Sequence, residues 1–261
     1  MRIVTWNINS VRLRQGLIER VATWLHPDVI CLQETKSPDE HFPREAFERS
    51  GYKHIAMAGM KGYNGVAIAS RLPITAERNR HFCEKQDCRH IQATIDGVEI
   101  HNFYIPAGGD IPDPDENKKF AHKLAFLDEA ADFIKSATRT KRPSVLVGDL
   151  NVAPLPNDVW SHKQMLKVVS HTPIEVEKLE TMRKAGKWVD AVRHFVPSEI
   201  QLYSWWSYRA NDWEASDRGR RLDHIWVTPQ LVPNLSETIT LREARGWEGA
   251  SDHVPVMIEI K

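Results

Sequence analysis

The sequence has little that would tie it to a membrane, an oxidising compartment or bulk binding of polyanions. Its 261 residues include only three cysteines, an odd number without framework spacing, so nothing points to a disulfide-stapled scaffold. No stretch approaches the roughly 20 consecutive apolar residues that a membrane span needs. The opening MRIVTWNINS lacks the apolar core and cleavage site of a signal peptide and already patterns as a strand, so a cytoplasmic protein is expected. Lys plus Arg and Asp plus Glu each number 35, which leaves a formal net charge of zero. That argues against holding nucleic acid by bulk charge alone, although a basic rim around an acidic pocket would cancel in the same sum. There is no internal repeat and no low-complexity tract. The loop-like AGGDIPDPDENKK is too short for a domain linker and has apolar runs on both sides, so residues 1–261 are expected to form one domain.

The cysteines themselves say little. Cys31 sits inside the apolar run DVICLQE and reads as a buried small side chain. Cys83 and Cys88 are flanked by His81 and His90 in HFCEKQDCRH, ligand types that suit zinc. Their spacing is not that of a known finger, and a charged hairpin tip between two strands is the preferred reading.

What is present is a 41% hydrophobic chain long enough for a large core. Short β-branched runs read as strands: RIVTW, DVICLQ, HIAMA, GVAIAS, HIQATI, VEIHNFYI, SVLVGDL, DHIWVT and VPVMIEI. Helical periodicity intervenes over 13–25, 117–137 and 173–185. In the second of these, Phe120, Leu124, Leu127, Ala131 and Ile134 share one face. Hairpin-like pairs mixed with crossover helices predict an α/β layered fold with mixed sheets.

The polar residues gather at strand ends. RIVTW runs into Asn7 and Asn9, DVICLQ into Glu34, VEIHNF into Tyr104, and SVLVG into Asp149 and Asn151. DHIWVT starts from Asp223, and VPVMIEI starts after Asp252 and His253. Where strands run antiparallel, the end of one lies beside the start of its neighbour, so these groups can meet at one edge. Taken singly, each is an ordinary turn residue or a solvated acid. Together they are acids that repel one another unless a cation or bound partner offsets them. An oxygen-rich set with one histidine suits Mg²⁺ or Mn²⁺ better than zinc. The chemistry that fits is metal-assisted attack of water on a phosphoester, with a carboxylate or His activating the water and Asn and Tyr donors holding phosphate oxygens.

With these residues placed, the sequence resembles the exonuclease III class of abasic-site endonucleases, within the deoxyribonuclease I-like phosphohydrolase superfamily. The likeness runs end to end through TWNINSVR, PDVICLQETK, KGYNGVAIASR, NFYIPAGG, VLVGDLNVAP, LYSWWSYR, RGRRLDHIWVT and SDHVPV. It implies a four-layer α/β sandwich with two central mixed β-sheets. It also implies Mg²⁺ as cofactor, with Mn²⁺ as the alternative, and a monomer acting on duplex DNA that carries abasic sites or 3′ ends, with no membrane partner. The cut falls 5′ to the abasic site and leaves a 3′-hydroxyl; relatives often also remove 3′ blocking groups or digest from 3′ ends.

By motif, Glu34 would be the main metal ligand, with Asn7 and Asp252 close to the ion and Asp149, Asn151 and His253 around it. Asp149 would position or activate the water or assist the leaving group, and Asn151 would hold the water or phosphate. Asp223 would orient His253, which would contact phosphate, and Tyr104 would bind phosphate or donate a proton. Whether Asp149 or His253 takes the water proton stays open at this point. Adjacent side chains on an extended segment face opposite ways, so Asp252 is not the expected partner of His253. DNA contacts would come from Asn9, Lys61, Tyr63, Trp205, Trp206, Tyr208 and Arg209, with Leu222 as an apolar wall of the lesion pocket; the alternative for Trp206 is an aromatic core position. Two positions depart from the pattern. Ala107 stands where an amide side chain is usual, which leaves the backbone N–H groups of Gly108 and Gly109 to replace it. Arg220 stands where relatives often carry an apolar or aromatic residue.

The competing readings are a superfamily relative acting on RNA or on a lipid phosphoester, and a silent DNA-binding module. Membrane-facing loops are missing from this chain, and all the expected catalytic side chains are present.

Overall fold

Alternate residues of the central strands feed different cores, and this alternation builds the layers. A computed structural model of the protein describes residues 1–137, 142–210 and 212–261. Its elements run β1 (Arg2–Asn7), α1 (Val11–Leu25), β2 (Val29–Gln33), α2 (Arg44–Arg49), β3 (His54–Ala58), β4 (Val66–Ser70), β5 (Ile74–Asn79), β6 (His90–Ile95), β7 (Val98–Tyr104) and α3 (Lys118–Ala137). They continue through β8 (Ser144–Asp149), α4 (His162–Met165), α5 (Pro173–Ala185), β9 (Val189–Asp190), α6 (Ala191–Phe195), α7 (Trp213–Ser216), β10 (Asp223–Val227), β11 (Leu235–Thr240) and β12 (Val256–Ile260).

Two mixed sheets form, in the orders β11-β12-β1-β2-β4-β3 and β5-β6-β7-β8-β10-β9. Ile3, Val29, Cys31 and Ile68 of the first sheet pack on Ile100, Val145, Val147 and Ile225 of the second. Their neighbours Val4, Trp6, Ile30 and Leu32 turn the other way, onto Ile18, Val21 and Leu25 of α1. On the far side Phe103, Leu146 and Trp226 meet Phe126 and Leu127 of α3 and Leu179 and Met182 of α5. The result is the expected four-layer α/β sandwich.

The α5 boundary is where the sequence places it. Thr172 and Glu175 form a capping box, and Pro173 sits in the first turn, where its missing N–H costs nothing. The expected face of α3 is buried, and Lys123 is buried with it. Three strands go beyond the sequence reading: β5, β9 and β11 all lie at sheet edges, where little apolar surface is covered. The stretch between β5 and β6 is a hairpin tip with a Phe82–Lys85 bridge. His90 is buried against His101, the Cys83 N–H donates to Glu129, and the Cys88 thiol donates to Gly59 O. These ligand types do not converge on a metal position among the described residues. No described helix is long and apolar enough to cross a membrane.

Register brings the polar strand ends together. The parallel pairs β1–β2 and β7–β8 deliver Asn7 beside Gln33 and Tyr104 beside Asp149. Antiparallel β10 starts with Asp223 opposite Asp149, and β12 starts with Val256 opposite Thr5.

Candidate active site

The two sheets are pinned at this edge by buried amides. Gln33 Nε2 donates to Asn102 Oδ1 at 2.7 Å, and Asn102 Nδ2 donates to the carbonyls of Leu32 and Ala67. Buried amides bonded across the two sheets in this way fix one register, although Gln33 Oε1 is left without a partner among the described residues. Inside a strand pattern both residues look like interruptions, so sequence reading missed them.

Asn7 bridges the sheets one step nearer the surface. Its Nδ2 donates to Glu34 Oε1 at 3.0 Å and to Asp149 Oδ2 at 2.9 Å, while its Oδ1 accepts the Asn9 N–H. Asn7 therefore meets the acids as a donor. Glu34 Oε1 also accepts from the Tyr104 hydroxyl at 2.8 Å, and Lys36 Nζ lies 2.7 Å from Oε2. Burial works against ionisation of Glu34, but the bonds from Lys36, Asn7 and Tyr104 outweigh it and hold its pKa below the usual carboxylate range. Lys36 also donates to Asn9 Oδ1; it lay within the LQETK motif without being singled out.

Asp149 is buried where β8 ends. Gly148 precedes it because a Cβ there would stand 1.9 Å from the Phe103 carbonyl oxygen of β7. Asn151 closes over the carboxylate, donating through its backbone N–H to Oδ1 and through Nδ2 to Oδ2. Burial raises the Asp149 pKa; Asp223 and Glu34 add to the rise, while His253 and Asn7 oppose it. His253 Nδ1 lies 2.8 Å from Asp223 Oδ2, and its Nε2 lies 3.7 Å from Asp149 Oδ2. Burial disfavours its cation, but the Asp223 and Asp149 carboxylates outweigh that and raise the pKa. Ser204 Oγ accepts the N–H groups of Leu222 and Asp223, and Ser251 Oγ accepts the His253 N–H while donating to Asn7 O.

Some of the backbone strain in the fold lies here. Asn9, Ser10, Glu34, Lys36 and Asn151 all have positive φ, at a cost on the order of 1 kcal/mol or more each.

The donor set fits a hard divalent cation. Asp149, Asp223 and His253 offer ligand atoms within 4.8 Å of one another, and Asp223 Oδ1 is buried without a hydrogen-bond partner. Uncompensated buried carboxylate of this kind is what an oxygen-coordinated ion relieves. Glu34 reaches the group through Asn7. Asp252, expected beside the ion, instead turns its oxygens to Asn9 Nδ2 at 3.1 Å and Trp205 Nε1 at 2.9 Å. Its direction is opposite to that of His253, as neighbours on extended chain must be.

The site opens into a cavity of about 560 Å³ lined by Trp160, Val169, Trp205, Leu222 and three arginines, Arg209, Arg218 and Arg220. Lys61, Tyr63, Tyr208 and Arg209 are exposed, and Arg209 lines the cavity. Trp206 does not face outward: it is 2% exposed, packs among Tyr203 and Trp213, and donates its indole N–H to Asp217. Period-2 alternation leaves Trp205 toward the cavity and sends its neighbour into the core, which corrects the expected DNA contact at Trp206.

A sequence profile described as "Endonuclease/Exonuclease/phosphatase family" matches residues 4–253. The chain belongs to this family. Among its members, exodeoxyribonuclease III of Haemophilus influenzae is 29% identical, with the whole of both chains covered. The structure of an AP endonuclease from Archaeoglobus fulgidus superposes with a TM-score of 0.92 at 30% identity, covering 100% of this chain and 99% of the other. A 3′-5′ exonuclease from Neisseria meningitidis gives 0.91 at 30% identity, with both chains fully covered. The end-to-end coverage includes every strand end that supplies the site.

Proposed function

We propose that the chain is a divalent-metal-dependent nuclease that hydrolyses the phosphodiester 5′ to an abasic site in duplex DNA and removes groups from DNA 3′ ends. The observation that carries this is the Glu34–Asn7–Asp149–His253–Asp223 chain, set across two sheets at the floor of a cavity with arginine on its wall. Because the site takes residues from Asn7 to His253, residues 1–261 act as one domain, and a monomer suffices.

Glu34 would be the main ligand of Mg²⁺, with Mn²⁺ as the alternative, and the buried acids Asp149 and Asp223 would lie close to the ion. When bound, the ion polarises the phosphoryl group and offsets charge on the leaving oxygen. The protein's own groups do the rest. A carboxylate whose pKa is raised by burial toward neutrality is the better proton acceptor, and an imidazole held charged by two acids is the better phosphate ligand. This assigns the water proton to Asp149 and phosphate contact to His253 Nε2, with Asp223 fixing the ring. The Tyr104 hydroxyl, kept protonated by burial and by Glu34, stays a donor throughout. Water adds to phosphorus, the bond to the 3′-oxygen breaks, and that oxygen leaves as a hydroxyl.

The test is a duplex oligonucleotide with one tetrahydrofuran residue. A nick 5′ to the lesion that EDTA abolishes is expected. Equal cutting of an undamaged duplex or of RNA would refute the lesion-directed reading.

A further inference from the structure

The cavity wall carries both signs of charge, with Glu34, Asp110, Asp149 and Asp252 beside three arginines. Arg209, Arg218 and Arg220 line it, and none is in an ion pair among the described residues, whereas Arg221 next to them is paired with both Asp158 and Asp190. Arg220 has no ion pair of its own: Glu175, whose charge reaches it, is already paired with Lys123. Its backbone pairs with Trp205 and Val159. Its guanidinium carbon stands 5.0 Å from the Trp205 ring centroid, and one nitrogen donates to Val169 O at 3.2 Å and Ser170 Oγ at 3.0 Å. Its Nε is buried without a hydrogen-bond partner. Arg218 stacks on Trp160 at 4.7 Å in the same manner. A largely desolvated cation without an ion-pair partner of its own is costly, and a guanidinium binds a carboxylate strongly through charge-assisted hydrogen bonds.

We propose that Arg220 sets substrate preference at this site, selecting a small anionic group on a DNA 3′ terminus, such as the carboxylate of a 3′-phosphoglycolate, over the uncharged sugar of an internal abasic site. This rests on the phosphodiesterase reading above. In either substrate the fragment beyond phosphorus must enter the cavity. An uncharged ring would gain from an apolar wall, and here the wall of Leu222, Val169, Trp160 and Trp205 is interrupted by a guanidinium. A carboxylate would accept from Arg220 and offset its desolvation. The reaction balances without a co-reactant. Water attacks phosphorus, the P–O3′ bond breaks, one water proton goes to the 3′-oxygen, and phosphoglycolate departs.

The test measures kcat/KM on two duplexes, one with a 3′-phosphoglycolate at a nick and one with an internal tetrahydrofuran, for the wild type, Arg220→Gln and Arg220→Lys. Gln keeps amide donors for Val169 and Ser170 but loses the charge. The expected result is at least a tenfold fall in the phosphoglycolate-to-tetrahydrofuran ratio for Arg220→Gln, expressed mainly in KM, with most of the ratio retained in Arg220→Lys. A parallel loss on both substrates, an unchanged ratio, or identical behaviour of Gln and Lys would overturn the inference. A wild-type protein that cleaves neither duplex would overturn the phosphodiesterase reading, and the inference with it.

Discussion

Replacing Lys123 with Met should cost more stability than any surface change, and it should cost activity as well. Lys123 and Glu175 are both fully buried and ion-paired. The same ammonium donates to Asn151 O at 2.7 Å and to Ala107 O at 3.3 Å, so one cation ties α3 to α5 and to two loops that border the cavity. Burial pulls the Lys123 pKa down, and Glu175 opposes that. Removing one partner of a buried pair typically costs about 3–5 kcal/mol. Glu175 would keep its bonds from Ser170 N, Thr172 N and Thr172 Oγ1, which favours the lower end. The two carbonyls would lose a donor, adding on the order of 1 kcal/mol each. A total of about 5 kcal/mol predicts a fall in Tm of roughly 10–20 °C for a chain of this length. Below the unfolding transition, turnover should drop because the Asn151 loop, with its positive φ, loses its anchor. Lys123→Met/Glu175→Gln should recover part of the stability, since no unpaired charge remains, but not the turnover. Denaturant midpoints and steady-state rates on the tetrahydrofuran duplex would check both. A Lys123→Met protein within about 1 kcal/mol of wild type would refute the argued role of the pair.

Asp149→Asn and His253→Ala should each reduce turnover by about a hundredfold or more, as loss of a positioned proton acceptor or phosphate ligand does; near-normal rates on the same duplex would remove that residue from the mechanism. His224 is buried, with Nε2 2.8 Å from Val152 O, and burial lowers its pKa to about 4. The unfolded chain then binds the extra proton between about pH 4 and 6.5. Stability should rise with pH across that window, by up to about 1.4 kcal/mol per unit, and urea titrations of His224→Gln should show a shallower slope. Trp206→Ala should lower Tm by several degrees and leave DNA affinity near wild type below the transition, whereas Trp205→Ala should do the reverse. Fluorescence anisotropy beside thermal melts separates the two. DNA binding should weaken steeply with salt despite the zero net charge, because phosphate contacts release counterions; a flat response would argue against a DNA substrate.

The central strands were legible because they are buried on both faces and read as continuous apolar runs. Four such strands end in, and two begin from, the polar residues that meet at the site. Of the edge strands, β3 was legible as HIAMA, while β5, β9 and β11 were not. ITAERN in β5 is nearly all exposed, LSETIT in β11 is half-buried throughout, and β9 has two residues. Each owes its extension to a paired neighbour rather than to its own pattern. Trp205 and Trp206 show the limit for side chains. Motif likeness marked both as DNA contacts, while alternation allows only one of them to face the cavity. Lys36 and Ser204 were missed because a single lysine or serine near a strand end carries no period and no spacing.

The position of Asp252 sharpens how the site is organised. Asp252 and His253 are adjacent in sequence, yet they serve opposite sides of the structure. His253 is oriented by Asp223 from the second sheet, while Asp252 fixes Asn9 and the Trp205 ring. Trp205 in turn carries Arg220 on its face. One two-residue turn therefore links the imidazole of the reaction centre to the wall of the cavity that receives the fragment beyond phosphorus. Asp252→Asn would test that link. An Asn there can still accept through its single side-chain oxygen but not from both donors at once, so Trp205 or Asn9 is released. The effect should fall on discrimination between substrates more than on turnover of the better one. An Asp252→Asn enzyme that loses turnover uniformly, and regains it at higher metal concentration, would place this carboxylate at the ion instead.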